Sequence, residues 1–364
     1  MNSATGWYDK EMKIWKMTRL LLWPFSMIYG IILDIRNLLY DLGIFKAHHY
    51  KVPVISVGNI TAGGSGKTPF TIYLATGLQK YFSKIAVISR GYGRQSKGLQ
   101  IVSDGKNINT NPAVTGDEPL LIAKSAPGVL VAVAEKRTLA IRHVLENFQP
   151  DLIILDDAFQ HRSVKRDLDI VLINSGEPYE KNLPIPAGTL REFRHNISRA
   201  DIIIHTNNTN AYPKRKIDLY NIPELYSRGA LSDLVGPDFK RIGPLRELAE
   251  KKTTAFAGIA HPENFIMSLN GENITPLWTG KFKDHKEYKA EDIRKIIRHS
   301  LEKQVATVLC TEKDLVKIST NKYFLSLFAN AGLKLAAPSL KIVLEDDAEL
   351  LKKIYKLVDI NNKS

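Results

Sequence analysis

The sequence VPVISVGNITAGGSGKT, residues 52–68, decides the fold class of this chain. Residues 52–57 form a β-branched run, a glycine-rich segment follows, and residues 68–80 have a helical pattern. Glycines allow consecutive backbone N–H groups to surround phosphates, and the helix that follows points its positive dipole end at them. The order strand, glycine-rich loop, helix therefore predicts a phosphate-binding loop for a nucleoside triphosphate.

Two side chains at the end of this loop carry specific chemistry. Lys67 would neutralise the β- and γ-phosphates, and the Thr68 hydroxyl would ligate Mg²⁺. Thr61 stands where the usual pattern has its first glycine, which leaves the physical design intact. The alternative is a glycine-rich turn with an incidental lysine, which the flanking strand and helix disfavour. The predicted nucleotide-binding residues are Thr61, Ala62, Gly63, Gly64, Ser65, Gly66, Lys67 and Thr68.

A second acidic signal fits the same site. Residues 151–155 are an apolar strand candidate that ends in Asp156 and Asp157. A magnesium nucleotide needs a carboxylate at the end of a neighbouring strand, so we assign one acid to the metal and the other to positioning. Taken alone, this pair would more often be a helix cap or a solvated turn.

Around this centre, strand and helix patterns alternate, which implies a mostly parallel sheet covered by helices in an α/β, P-loop NTPase-like fold. The polar stretch 207–216 suggests a boundary before a smaller second α/β lobe. We expect an N-terminal helix at 1–50, a nucleotide-binding core at 51–210 and the second lobe at 211–364. Strand candidates lie at 85–88, 129–133, 152–155, 170–173, 202–205, 254–258 and 307–310, and helix candidates at 119–124, 136–147, 290–301 and 348–357.

GTP is an alternative to ATP, because Thr311-Glu312-Lys313-Asp314 superficially resembles a guanine-reading loop. That loop requires its lysine second, whereas here it is third. We therefore expect ATP.

Composition limits the classes of partner. The chain has 364 residues, with 51 Lys and Arg against 38 Asp and Glu. This excess suits an anionic lipid, a phosphorylated substrate or nucleic acid. No zinc-finger spacing, arginine-rich tail or ribonucleoprotein motif favours nucleic acid, which we do not expect as a partner. The single cysteine, Cys310, excludes an intramolecular disulfide.

The N-terminal segment is amphipathic. Its uncharged stretch, residues 20–33, is shorter than the roughly 20 residues that cross a bilayer. Apolar residues continue at helical spacing to Leu42, and Asp34, Asn37 and Asp41 occupy the opposite face. The segment before it interleaves Lys10, Lys13, Lys16 and Arg19 with Trp7, Trp15 and Trp23. This pattern favours attachment to a membrane surface, and the alternative is a core helix with solvated lysines.

Further polar clusters follow in order: SRGYGR at 89–94, GDEP at 116–119, DDAFQH at 156–161 and GTLRE at 188–192. With the glycine-rich loop, they resemble the tetraacyldisaccharide 4'-kinases, lipid A pathway enzymes that phosphorylate the 4'-hydroxyl of a tetraacylated glucosamine disaccharide 1-phosphate. The resemblance implies ATP and Mg²⁺, this lipid as substrate, and a peripheral or monotopic place on the cytoplasmic face of the inner membrane. No obligate protein partner is evident.

The resemblance also implies roles for individual residues. Asp117 matches the acid that activates the acceptor hydroxyl, and His285 matches the histidine that works with it. The family has a second histidine where this chain has Lys286, which puts a role for that position in doubt. Arg191 matches a basic residue that stabilises phosphate charge, and Glu192 is a candidate for the metal.

Several assignments stay open at this stage. Tyr92 is either structural or stacked near the nucleotide, and Arg90 and Arg94 either bind substrate phosphate or face solvent. Glu118 and Gln160 are weak candidates, and His161 could orient Asp156 or Asp157. The competing functions are a membrane-docked P-loop switch ATPase and a soluble kinase for a small polar acceptor.

Overall fold

The computed structural model describes residues 4–177, 179, 182–207, 220–284 and 286–361, with side chains described from 18 to 358 within these ranges. Helices and strands alternate through most of the chain. The helices are α1 (Ala4–Asp41), α2 (Lys67–Leu78), α3 (Pro112–Thr115), α4 (Asp117–Ser125), α5 (Arg137–Asn147), α6 (Pro262–Gly271), α7 (Ala290–Glu302), α8 (Glu312–Ser319), α9 (Lys322–Asn330) and α10 (Ala348–Asn361). The strands are β1 (Val54–Asn59), β2 (Ile85–Ser89), β3 (Gln100–Asp104), β4 (Leu130–Val133), β5 (Leu152–Asp156), β6 (Leu168–Asn174), β7 (Ile202–Thr206), β8 (Glu224–Val235), β9 (Arg241–Pro244), β10 (Thr253–Ala257), β11 (Thr279–Lys281), β12 (Thr307–Cys310) and β13 (Lys334–Leu344).

Within the described residues, all strands belong to one sheet. Their order is β11-β10-β12-β13-β8-β7-β6-β1-β5-β2-β4-β3, and β9 pairs with β8. The five adjacent strands β7, β6, β1, β5 and β2 pair in parallel. The antiparallel pairs are β3 with β4, β8 with β9 and β8 with β13. The predicted mostly parallel α/β sheet is confirmed.

The strands around β1 are strands because they are buried on both faces. Every residue of β1, β5 and β6 is buried. Side chains alternate across the sheet, so Ile55 and Ile154 pack in a core cluster on one face, while Val54 and Ile153 pack in another on the opposite face. This double burial makes the central sheet a rigid support for the loops at its carboxyl edge.

The long strand β8 joins the two halves of the sheet. It pairs in parallel with β7 at its start and antiparallel with β13 along most of its length. Neither β8 nor β13 is among the predicted strands, because about two thirds of their residues are exposed or half-buried and no apolar run spans either strand. The predicted boundary at residue 210 lies outside the described residues, so the division into three parts stays a prediction.

Helix α1 contacts the protein through its polar face. Ser26 accepts a hydrogen bond from the Ala187 N–H at 2.8 Å, and a Cβ at Gly30 would collide with the ring of Phe193. Arg162 donates to the Asn37 carbonyl at 2.8 Å. The apolar face is exposed; it comprises Leu20, Leu21, Trp23, Phe25, Ile28, Ile31, Ile32, Ile35 and Leu38. The alternative of a core helix packed through this face is therefore wrong.

The length argument against a spanning helix is also wrong. Residues Thr18–Asp41 are helical, and this 24-residue stretch is long and apolar enough to cross a bilayer by length and composition alone. Charged residues such as Asp34 do not interrupt the helix, which is why the uncharged stretch underestimates its length. Core helices and signal sequences can meet the same measure, so length and composition alone do not establish membrane attachment.

Candidate active site

The glycine-rich loop lies at the carboxyl edge of the sheet, between β1 and α2. β1 runs between β5 and β6, and Val57 is in register with Asp156. Gly63 has φ +144° and Gly66 has φ +78°. These are left-handed backbone conformations that side-chain-bearing residues rarely adopt. The loop therefore depends on glycine at these two positions for its path around a phosphate.

The segment 188–191 lies beside the loop and explains its unusual first position. The Ala62 N–H donates to the Thr189 carbonyl at 2.6 Å, and the Arg191 N–H donates to the Ile60 carbonyl at 2.8 Å. Thr61 is buried in an antiparallel bridge with Leu190. Extended backbone at Thr61 needs no glycine, so the departure from the usual pattern has a structural cause.

Three cationic side chains converge on Asp157. Its Oδ1 lies 2.8 Å from a nitrogen of Arg191 and 3.7 Å from the Lys67 Nζ, and Arg137 donates to its carbonyl at 2.8 Å. Burial raises the pKa of Asp157, but Lys67 and Arg191 outweigh this and hold it below its usual range. The structure therefore brings together two side chains predicted to face phosphates, with an ionised carboxylate between them.

Asp156 has a different environment. Its carboxylate is buried and accepts hydrogen bonds from Thr71 Oγ1 at 3.1 Å and Ser89 Oγ at 3.0 Å. Burial, with the nearby charges of Glu118 and Asp157, raises the pKa of Asp156 to about 6. A positive charge brought close to this carboxylate would favour its ionised form.

This raised pKa predicts a pH-dependent stability in the protein without nucleotide. An acid whose pKa is raised by folding contributes stability below its unfolded pKa of ~3.9, and that contribution is lost as the pH rises through about 6. We expect Asp156→Asn to raise the free energy of unfolding more at pH 8 than at pH 4.5, by up to ~2 kcal/mol.

Denaturant unfolding of the nucleotide-free protein at both pH values measures this difference. Asp104→Asn is the control, because hydrogen bonds from Asn107 lower the pKa of this half-buried acid to about 2, so it stays ionised in the folded protein at both pH values. A difference at Asp156 that does not depend on pH would contradict the prediction.

The residues present fit a magnesium ion. Thr68 opens α2 beside the loop, and Thr71, one turn later, bonds Asp156, so this side of the helix faces the acids. Hydroxyl and carboxylate oxygens are ligands that Mg²⁺ accepts, with phosphate oxygens and water completing its shell. Among the described residues, no group of three or more His, Cys, Asp and Glu side chains could hold a metal alone. The magnesium site stays a prediction.

Asp117 is the first residue of α4, and a lysine from α8 faces it. Lys317 Nζ lies 3.4 Å from Asp117 Oδ2. One turn earlier on α8, Lys313 Nζ lies 3.4 Å from Glu118 and 3.3 Å from Asp284. His285 lies outside the described residues, so its pairing with Asp117 stays a prediction.

Lys286, which stands at the family's second histidine position, pairs with Asp292 at 3.0 Å. It is therefore engaged with the first turn of α7.

Glu192 is engaged in anchoring α1. It is fully buried, and both of its oxygens lie within 2.9 Å of Arg199. Gln160 Nε2 and Asn37 Nδ2 also donate to it, each at 3.0 Å. Gln160 donates in addition to the Asn59 carbonyl at the end of β1. These contacts favour a structural role for Glu192 over the predicted metal role, and they place Gln160 between α1 and the phosphate loop.

Of the residues whose roles were open, two bind neighbouring side chains and two are exposed. The His161 ring bonds Ser163 at 2.9 Å, which favours a local structural role, and its orienting of Asp156 or Asp157 stays a prediction. Burial and nearby arginines lower the pKa of His161 to about 4, so it is neutral near pH 7. Arg94 is bound to Glu135, whereas Arg90 and Tyr92 are exposed.

The segment considered for guanine recognition has a structural role. Thr311 caps α8, and Asp314 is fully buried. Asp314 accepts hydrogen bonds from the Gly258 N–H and the Tyr288 hydroxyl, each at 2.9 Å. A buried aspartate with these partners does not face a base, so this segment gives no support to GTP as the nucleotide.

Sequence reasoning missed the side chains that surround the acids. Neither Lys317 nor Arg137 belongs to a recognised motif, and the sequence marks Thr71 only as part of a predicted helix and Ser89 only as part of the cluster at 89–94. Lys313 and Lys317 stand four residues apart in α8, which puts them on one helix face, but nothing in that spacing identifies α4 as the neighbour.

Comparisons with known proteins agree with this geometry. Residues 18–358 match the model of the LpxK family, described as tetraacyldisaccharide-1-P 4'-kinase. A tetraacyldisaccharide 4'-kinase of Chlorobaculum parvum is 41% identical over 321 residues, covering 86% of this chain and 88% of that protein. One of Desulfotalea psychrophila is 37% identical and covers 91% of this chain and 95% of its own length.

A solved structure extends the similarity to the fold. The crystal structure of LpxK from Aquifex aeolicus in complex with ATP has a TM-score of 0.78 and 34% identity, over 94% of this chain and 99% of that one. With sequence similarity along nearly the whole chain and the same fold, this protein belongs to the tetraacyldisaccharide-1-P 4'-kinase family.

Proposed function

We propose that this protein transfers the γ-phosphoryl group of ATP to the 4'-hydroxyl of a tetraacylated glucosamine disaccharide 1-phosphate, in lipid A biosynthesis. The observation that carries the proposal is the convergence of Lys67 and Arg191 on Asp157, beside a loop that requires glycine at two positions. Family membership supplies the acceptor, and the loop supplies the nucleotide site.

The chemistry follows from the charges at this edge of the sheet. Phosphoryl transfer needs positioned positive charge against the transferring group, and a base for the proton of the acceptor hydroxyl. Lys67 and Arg191 supply the charge, and Asp117, with His285, accepts the proton. Thr68 with Asp156 or Asp157 would hold Mg²⁺, which neutralises charge on the β- and γ-phosphates when bound.

The orientation of α1 supports a membrane surface as the place of reaction. Its polar face contacts the protein through Ser26, Gly30 and Asn37. The exposed apolar face therefore does not pack on the described part of the protein. A contiguous apolar helix face exposed beside the active site matches an acylated substrate that resides in a bilayer. We place the protein on the cytoplasmic face of the inner membrane, with α1 in its interface.

The decisive experiment measures transfer of labelled γ-phosphate from ATP to the acylated disaccharide 1-phosphate in detergent micelles. A reaction without acceptor controls for hydrolysis. Labelling that requires the lipid supports the kinase, whereas phosphate release that ignores the lipid would support the switch ATPase instead. Equal activity on a short-chain disaccharide without detergent would favour a soluble kinase.

The apolar face of α1 provides a separate prediction. We expect the double variant Ile28→Glu/Ile32→Glu to lose most of its binding to anionic phospholipid vesicles, because each exposed isoleucine would become a charge at the interface. The Kd for ATP should change by less than ~2-fold, since neither residue contacts the loop. Vesicle co-sedimentation and nucleotide titration measure the two effects.

The matched control is Met267→Glu/Leu301→Glu, which introduces the same charges at similarly exposed apolar positions on α6 and α7. It should bind vesicles like the unchanged protein. Equal vesicle binding by the α1 variant would show that this face is not the attachment surface.

A further inference from the structure

Lys317 is a buried lysine at the candidate active site that no sequence motif assigns. Its side chain is only 8% exposed, and its Nζ lies 3.4 Å from Asp117 Oδ2. Among the described residues, no acceptor forms a hydrogen bond with this ammonium group, so its contact with Asp117 is an ion pair. Burying an ammonium group is costly unless a charge or a ligand compensates it. The position therefore calls for a specific role.

Residues other than Lys317 hold α4 and α8 together, so Lys317 is not needed for helix packing. α8 is in contact with α4, and each helix contributes buried apolar residues, such as Val316 and Leu120, to one core cluster. A second lysine, Lys124 of α4, already ties the two helices by donating to Ser319 at 3.0 Å. The contact between the helices therefore does not depend on Lys317.

The backbone at Asp117 is held independently of its side chain. Gly116, at the N-terminus of α4, has φ +87°, and a Cβ there would lie 3.4 Å from the Tyr92 carbonyl and the Gly91 Cα. The helix start is thus confined by the loop that follows β2. The carboxylate at the tip of this side chain is contacted by Lys317, whose Nζ lies 3.4 Å from Oδ2.

We propose that Lys317 is a positioning residue that holds the Asp117 carboxylate in the orientation that receives the proton of the acceptor hydroxyl. The inference rests on the proposed role of Asp117 as the proton acceptor. Because α8 follows β12 and α4 precedes β4, this contact also links the two halves of the sheet at the reacting end. The orientation of the Asp117 carboxylate therefore depends on the contact between α4 and α8.

The test compares steady-state lipid phosphorylation by full-length variants. Lys317→Met keeps most of the side-chain volume and removes the charge. We expect kcat to fall ~10- to 100-fold, as a misplaced reacting group would cause, with the KM for ATP changed less than ~2-fold. The melting temperature should stay nearly unchanged, because Asp117 is partly exposed and water can replace its partner. Lys317→Arg, which retains the charge, should recover part of the lost kcat.

The control is Lys124→Met, which removes a lysine from the same interface without touching Asp117. Its kcat should stay within ~2-fold of the unchanged protein. A double-mutant cycle adds a readout that a merely structural role would not produce. If Lys317 acts through Asp117, the loss caused by Lys317→Met should largely disappear in an Asp117→Asn background.

The outcomes separate the inference from the function on which it rests. Full turnover in Asp117→Asn would remove the base assignment and the inference with it. Loss in Asp117→Asn with unchanged kcat in Lys317→Met would overturn the inference alone. Equal losses in Lys317→Met and Lys124→Met, or additive losses in the cycle, would also overturn it, because they indicate weakened packing between α4 and α8.

Discussion

Asp117→Ala is expected to lower kcat for lipid phosphorylation by ~10²- to 10⁴-fold, the usual contribution of a positioned acid or base. A sugar hydroxyl is a weak nucleophile near neutral pH, and Asp117, at the start of α4 with Lys317 3.4 Å from its Oδ2, is assigned to that hydroxyl and not to the phosphates. The Kd for ATP should therefore remain nearly unchanged. Single-turnover transfer and nucleotide titration on the same preparation measure both quantities.

A second acid serves as the control for helix stability. Glu291 is exposed in the first turn of α7, as Asp117 is in the first turn of α4. Glu291→Ala removes a comparable interaction with the helix dipole and should leave kcat unchanged. Turnover by Asp117→Ala at the rate of the unchanged protein would refute its role as the base.

The largest effect on stability is expected at Glu192. Glu192→Ala should lower the free energy of unfolding by ~3–5 kcal/mol, because it leaves Arg199, whose side chain is only 16% exposed, without its fully buried counter-charge. Asn37 and Gln160 would lose a hydrogen-bond acceptor in the same step, which should also loosen α1 from the protein. Denaturant unfolding measures the first effect, and protease susceptibility of the segment around residue 41 measures the second.

This variant also decides between the two roles considered for Glu192. A metal ligand would show its loss as a higher Mg²⁺ concentration for half-maximal activity, with stability little changed. The anchoring role predicts the reverse. Asn37→Ala is the matched control, since it removes one of the partners of Glu192 on α1 and cannot bind the metal through a carboxylate. It should reproduce the loosening of α1 with a smaller loss of stability.

The nucleotide site could be predicted from sequence because its parts are nearly contiguous. A β-branched run, glycines, Lys67 and Thr68 follow one another along the chain, and parallel strands bring their carboxyl ends to one edge. The apolar strand before Asp156 therefore ends at the same edge of the sheet as the phosphate loop. The buried Asp156 and the ionised Asp157 could not be distinguished in advance, because their difference arises from Thr71, Ser89, Lys67 and Arg191 around them.

The antiparallel pair of β8 and β13 shows where pattern reasoning failed. Both strands combine buried and exposed positions irregularly, and the buried apolar run of β13, residues 335–338, is only four residues long, so neither alternation nor a long apolar run marks them. Their stability comes from pairing with each other across a long sequence separation. A pattern that depends on a distant partner has no local signature.

The sequence by itself determined the phosphate loop, the alternation of strands and helices, the family resemblance and the two faces of α1. Helical periodicity defines which residues of α1 share a face. It does not determine which of the two faces contacts the rest of the protein, because that surface forms only in the folded chain. Tertiary structure decided that Ser26, Gly30 and Asn37 face the protein and that the apolar residues face outward. It likewise placed Lys317 beside Asp117, because packing between α4 and α8 joins residues that no local rule of spacing connects.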